Sequence, residues 1–379
     1  MGDVSSGDDD RPLLETREAV IEHAKSRFGL SVTRIRGVDL GGVDLSGVMF
    51  MQTDLEAVTF RGATLTHVNL VDARVRSCIF DGADLRASSW YLVRTAGCSF
   101  VQARMHGARM GMSGFDGCDF TVAEMIEADL RSSSLLGCSL RGANLGGMAL
   151  VGASLERCKL DQAFLDRADL TSASLIEGSA RDASFVDSNL TGAGFTDVDV
   201  ARADFSRSIL LAARWVRVQA PGARFTDADL GGAEMTSCDL TDGTFLRTKL
   251  ARLRASAPDE RSPSLICNGG NFHRASIAGA SLPRAELREI NFTAADATGA
   301  VLEGADLRGA QIVQSRLDDA DLRTVELAGA ILDGVSCADT DLRGARFGNA
   351  TLANVDLSAS RLDEAEMSAV RVLVEEPAR

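Results

Sequence analysis

Five cysteines, Cys78, Cys98, Cys118, Cys138 and Cys158, follow one another at 20-residue intervals, and Cys238 keeps their phase. Thiols held close together can form disulfides, and as thiolates they can bind zinc. Zinc sites, however, use CxxC-like pairs on turns, and the chain has none. Val38, Val58, Val198 and Val218 stand in the same phase. The position therefore selects a small residue that tolerates burial, a demand that reduced cysteine meets. The series reads as packing. Cys267 lies beside a proline-containing segment and is expected to be the most exposed thiol. The four histidines, His23, His67, His106 and His273, share no common spacing. No nucleophile elbow, metalloprotease, P-loop or dinucleotide fingerprint is present. These absences argue against an enzyme, and no cofactor or metal is expected.

The carboxylates cluster more informatively. Asp319 and Asp321 recur at the cysteine interval as Asp339 and Asp341, with Asp318 beside the first pair and Arg323 and Arg343 just beyond. Three readings stay open: solvated turn carboxylates balanced by arginine, a docking patch for a basic surface, or a calcium site. The formal net charge of -14 disfavours direct nucleic-acid binding, which needs a basic footprint. No apolar run reaches membrane-spanning length. The start, MGDVSSGDDDR, is acidic and polar, unlike a secretory signal. Met1-Gly2 with Ser6 has the outline of a myristoylation start, but without the basic patch that stable anchoring requires. A cytoplasmic location is expected.

These residues are set in a chain with a five-residue rhythm. Leu45, Phe50, Leu55, Phe60 and Leu65 begin a series of large apolar residues that holds its phase to Leu250. It resumes two residues out of phase at Phe272, Ile277, Leu282, Leu287 and Phe292, and runs to about Val372. A period of five matches neither a helix nor a flat strand. The interruption, ARLRASAPDERSPSLICNGG, holds Pro258 and Pro263. Its spacing predicts an excursion of about 12 to 17 residues, and long loops in compact repeats often carry function. Arg254, Asp259, Glu260 and Arg261 therefore join the five aspartates as candidate partner-binding residues. The expected organisation is a disordered tail over 1–12, a capping helix over 13–30, repeats over 31–251, a break over 252–268, repeats over 269–374 and a tail over 375–379. The helix would run from Leu13 to Phe28, with Leu14, Ile21, Ala24 and Phe28 on one face and Gly29 as its stop. It would cover the first coil, because an open ladder invites aggregation. VRVLV, residues 370–374, reads as a last strand.

Units such as Ala83-Asp84-Leu85, Ala128-Asp129-Leu130, Ala143-Asn144-Leu145, Ala168-Asp169-Leu170, Ala228-Asp229-Leu230, Ala305-Asp306-Leu307 and Ala320-Asp321-Leu322 carry the pattern A-(D/N)-L-X-X. In this the chain resembles the pentapeptide-repeat proteins. The resemblance implies an all-β, right-handed quadrilateral β-helix with four repeats per coil, in which the large residue and the small one two before it point inward. Residues 20 apart should then stack, placing Phe60, Phe80, Phe100 and Phe120 in one column and Phe185, Phe205, Phe225 and Phe245 in another. About 16 coils rising roughly 4.8 Å each would give a rod on the order of 75 Å. Some members of the family mimic DNA, bind DNA gyrase or topoisomerase IV and shield it from poisons, so the resemblance implies a protein partner of that kind. A duplex of that length carries roughly 44 charges at one per 1.7 Å, about three times the net charge here. The alternative is an interaction scaffold for another protein.

Overall fold

Each five-residue unit builds one side of a coil, and the reason lies in its turn. In the unit Ala83-Asp84-Leu85-Arg86-Ala87, the first and third residues are buried, as is the next small residue, Ser88. The amide of Ser88 donates to the carbonyl of Leu85 and closes the turn. The Asp84 carboxylate accepts the amide of Arg86. Ala87 sits at φ 55°, in the left-handed region that L-residues enter reluctantly. The same position holds Gly62, Gly82 and Gly142 at φ 62°, 63° and 59°, where the missing Cβ removes that strain. The repeat thus pairs an Asx-type contact with a left-handed residue, which explains its Asp/Asn and Gly content.

The computed structural model describes residues 10–259 and 261–373. The chain forms two compact units that meet in sequence between Phe164 and Leu165. In the first, the strands Arg34–Arg36, Asp54–Glu56, Arg74–Arg76, Arg94–Ala96, Gly114–Asp116, Ser134–Leu136 and Ser154–Glu156 pair in parallel, each with the strand one coil further on. The other three sides of each coil pair through single bridges at the same lag, such as Thr59↔Ile79, Thr64↔Asp84 and Asn69↔Ser89. The fold is an all-β parallel solenoid with four sides per coil.

The phenylalanine columns are present. Rings of Phe60, Phe80, Phe100 and Phe120 stack at centroid spacings of 4.9, 4.9 and 4.7 Å, nearly parallel. The second unit has its own stack through Phe185, Phe205, Phe225 and Phe245, and Phe272 extends it at 4.5 Å.

That extension revises the reading of the break. Glu234 pairs with Arg254 at a lag of 20, whereas Cys238 pairs with Leu265 at a lag of 27. Seven residues are inserted, fewer than the expected excursion. Residues 252–256 still belong to the preceding ladder, and Leu265–Ile266 already belongs to the next. Proline and an aspartate turn expel the insertion, while the backbone ladder keeps its register on both sides. Because the break is folded into the array and pairing reaches Leu13–Leu14 and Arg371–Leu373, the coils number about 18 rather than about 16.

The N-terminal cap also differs from expectation. Leu13–Leu14 is a strand paired with Arg34–Arg36. Helix α1 spans only Arg17–Ala24, with the Thr16 hydroxyl accepting the Ala19 amide as its N-cap. Val20 is its buried residue, whereas Phe28 is exposed. Arg17 ties α1 to the first coil through the carbonyls of Asp39 and Gly41, at 3.0 and 3.2 Å. The helix stays short because the chain before it gains more from ladder hydrogen bonds than from further helical turns. At the other end Arg371–Leu373 pairs with Thr351–Ala353, as read for VRVLV through Leu373. Val374 and the tail 375–379 lie outside the described residues, as do residues 1–9 of the N-terminal tail.

Deleting residues 257–263 restores an uninterrupted ladder lag. The shortened protein should keep its far-UV circular dichroism and unfold within about 1 kcal/mol of wild type, the usual range for a surface change. A collapse of the β signal would mean that the insertion holds the two ladders in register. Truncating Phe80 to Ala should instead cost about 3–5 kcal/mol in denaturant unfolding, because its stack cannot close around the cavity.

Candidate functional site

The cysteine series is packing. All eight thiols are buried and unpaired, and the described residues contain no cluster suited to a metal. The Cys138 and Cys158 thiols donate to the carbonyls of Phe115 and Leu135 in the coil before, both at 3.4 Å. Cys267, expected to be exposed, is fully buried at a coil centre, because the insertion ends before it. Burial pushes its thiol well above the ordinary range and raises Cys238 to about 11. No native thiol should therefore react with an aromatic disulfide reagent, and all eight should react in guanidinium.

The acidic candidates are close together but largely neutralised. Asp321 and Asp341 are bridge partners on successive coils. Arg323 grips Asp321 through two nitrogens and reaches Glu303 at 3.0 Å, and Arg343 grips Asp341 in the same way. Asp318 accepts the Ser336 hydroxyl and the Ala338 amide and has Arg316 at 3.6 Å. Asp319 and Asp339 occupy left-handed turn positions at φ 57° and 53°. In the inserted loop, Asp259 accepts the amides of Arg261 and Ser262, both at 2.8 Å, so it shapes the turn. Those amides hold its carboxyl below the usual range. Arg254 and Arg261 are exposed, and Glu260 lies outside the described residues.

Charge pairing of this kind recurs through the second unit. Arg202, Arg207, Arg217 and Arg247 each cap an aspartate one coil earlier through two nitrogens. Their partners, Asp182, Asp187, Asp197 and Asp227, hold left-handed turn positions on the coil below. Asp306 is held most firmly. Burial pushes its carboxyl up, but hydrogen bonds from Arg308 and Arg288 overcome this and bring it to about 2. An unfolded aspartate titrates near 4. The depressed folded value means that this contribution is present above about pH 4 and is lost as pH falls toward 2. Asp306→Asn should lower stability at pH 7 by about 1 kcal/mol. The difference from wild type in chemical denaturation should shrink below about pH 4 and vanish only as pH falls through about 2.

A feature outside the inward frame lies on one corner of the first unit. In most turns the two outward residues are polar or glycine. Along this corner they include Val32, Met51, Val71, Tyr91, Leu92 and Met112. Tyr91, Leu92 and Met112 are 42%, 44% and 53% exposed, well above the core residues beside them. The Tyr91 hydroxyl lies 2.9 Å from the Met112 sulfur. Val71, Tyr91, Gly111 and Met112 line a groove of about 620 Å³ with Arg109, Asp129 and Arg131. Val32, Leu92 and Met112 also hold left-handed conformations, at φ 57°, 61° and 56°. A β-branched or bulky residue there is strained by about 1–2 kcal/mol. The signal is present in the sequence as apolar residues recurring at turn positions, but the five-residue frame directs attention to inward positions.

The side of the coil that follows this corner carries a local arginine cluster, bordered by the carboxylates of Asp54, Glu56 and Asp116. Arg74, Arg76 and Arg94 project from adjacent strands, over small neighbours Ala96 and Gly114. Arg74 and Arg94 are direct cross-strand partners.

A soft, partly strained apolar surface with guanidinium groups beside it is chemistry for holding another molecule. Four five-residue units per coil define the class, a repetitive parallel β-solenoid. A family model described as pentapeptide repeats matches eight copies in residues 30–66, 123–147, 150–185, 212–252, 285–323, 322–358 and 330–368. These cover more than half of the chain, which belongs to the pentapeptide-repeat family. Among solved structures it is similar to HetL of the cyanobacterium Nostoc, a pentapeptide-repeat protein involved in heterocyst differentiation regulation, at 23% identity over 62% of this chain and 89% of that one, with a TM-score of 0.34. Full-length QnrB1, a plasmid-mediated fluoroquinolone resistance protein, is 20% identical over 55% of this chain and 89% of that one, with a TM-score of 0.30. Rfr23 of the cyanobacterium Cyanothece is 23% identical over 28% and 86%, with a TM-score of 0.25. No curated protein sequence matches the chain. No helix among the described residues is long and apolar enough to cross a membrane.

Proposed function

We propose that the protein is a non-catalytic binding scaffold whose first unit presents the Tyr91 corner to a partner protein. The observation that carries this reading is the run Val71, Tyr91, Leu92 and Met112, apolar residues recurring on successive coils at one corner, of which Tyr91, Leu92 and Met112 are exposed. Contiguous exposed apolar surface on a soluble fold marks an interaction site more often than chance placement. Tyrosine and methionine suit the task, one by its rigid area and the other by its adaptable thioether. A photo-crosslinking residue in place of Tyr91 should yield a discrete adduct in extracts of the source cells. Met112→Ser should reduce that adduct, and the same crosslinker in place of the exposed Ile331 should give none. Equal adducts from both positions would remove the corner from the account.

A second reading, a DNA mimic that binds and protects DNA gyrase or topoisomerase IV, is favoured by the net charge of -14. Against it stand the arginines that cap Asp182, Asp187, Asp197, Asp227, Asp321 and Asp341. A duplex surface offers phosphates without such partners. Supercoiling by gyrase with and without a quinolone separates the two. The scaffold reading expects no protection and no binding at low salt, whereas protection would establish the mimic.

A further inference from the structure

Carboxylate and guanidinium groups are matched over much of this surface, and the matching fails beside the Tyr91 corner. Asp54, the carboxylate nearest Arg74, is 3.9 Å away and is already bonded to Arg11. Arg76, Arg94 and Arg109 make no ion pair among the described residues. The carboxylate nearest Arg109 in the groove, Asp129, is gripped by Arg131 through two nitrogens at 2.9 and 2.5 Å. Arg74 and Arg94 face each other across adjacent strands, an arrangement of like charges that destabilises a sheet. In a chain with 54 acidic and 40 basic residues, four under-partnered arginines on two sides of one apolar corner point to a ligand that supplies the missing charge.

We propose that this corner binds an acidic, apolar segment of the partner protein. Its apolar side chains lie on Val71, Tyr91, Leu92 and Met112. Its carboxylates meet Arg74, Arg76 and Arg94 on one side and Arg109 on the other. The inference rests on the protein-binding reading and specifies the partner's chemistry. Guanidinium groups recognise carboxylates through paired N–H donors and are weakly hydrated, so they suit an interface that excludes water. Ala96 and Gly114 leave space beside Arg74, Arg76 and Arg94 for an extended chain to approach. A nucleic-acid strand fits less well, because the remaining surface repels phosphate and four arginines make a short electrostatic footprint.

The test uses the full-length protein and three fluorescein-labelled peptides read by anisotropy. The first alternates acidic residues with leucine, the second replaces each acid by lysine, and the third replaces each leucine by serine. The proposal expects the first to bind at least about tenfold more tightly than either control, a difference of about 1.4 kcal/mol. The triple variant R74E/R76E/R94E should reverse the preference toward the lysine peptide. Y91S/M112S should lose both, with circular dichroism confirming its fold. Equal binding of the acidic and basic peptides, or of wild type and the triple variant, would overturn the acidic assignment. If the acidic peptide fails while the Tyr91 crosslink persists, the acidic inference falls and the protein-binding reading stands. Loss of both defeats both. Sedimentation of the free protein provides the remaining arm: self-association abolished by R74E/R76E/R94E would replace the partner segment with a second copy of the chain.

Discussion

The structure depends on one backbone event repeated along the chain: a turn in nearly every pentapeptide whose last residue is left-handed. This event directs two side chains inward, and four such turns bring the chain back over itself. Parallel amide–carbonyl bonds between successive coils then become possible, such as Phe60 to Ile79 at 2.6 Å and Leu65 to Asp84 at 2.7 Å. Each coil supplies partners for its neighbours, so stability accumulates by stacking. Core volume, thiol placement and charge pairing follow from the register set by these turns.

The register also organises the exterior. Side chains one coil apart stand directly above one another, so an outward Arg above an outward Asp is a bidentate pair, as in Arg207 above Asp187. Repetition of this pairing lowers the density of free carboxylate well below what the 54 acidic residues imply. It also makes a departure from pairing meaningful. The corner at Tyr91 departs twice, through exposed apolar residues and through unmatched arginines. Its left-handed Leu92 and Met112 carry strain that glycine at the same positions would relieve.

Much of this is legible in the sequence. The inward series follows from the period, because burial selects residue type strongly at those positions, whereas the coil length and with it the phenylalanine columns come from the family resemblance. Spacing brings the aspartates near Asp321 together but shows Arg323 and Arg343 only as neighbours. Their bidentate geometry depends on side-chain direction, which spacing does not give. Cys267 is buried against expectation because the length of the insertion cannot be separated from its register in the sequence. The helix is shorter than its pattern implies because Leu13 and Leu14 suit a helix face and a ladder equally well. The apolar corner is hard to see because its members occupy turn positions, where composition is usually uninformative.

If strained apolar residues are kept at this corner for contact rather than for folding, removing them should cost binding and not stability. The double substitution L92G/M112G examines this most directly, by pairing denaturant unfolding with binding of the acidic leucine peptide. Glycine relieves the left-handed strain and removes side chains that are already about half exposed. The expected result is a protein at least as stable as wild type that no longer binds the peptide. A less stable protein that binds as before would contradict it.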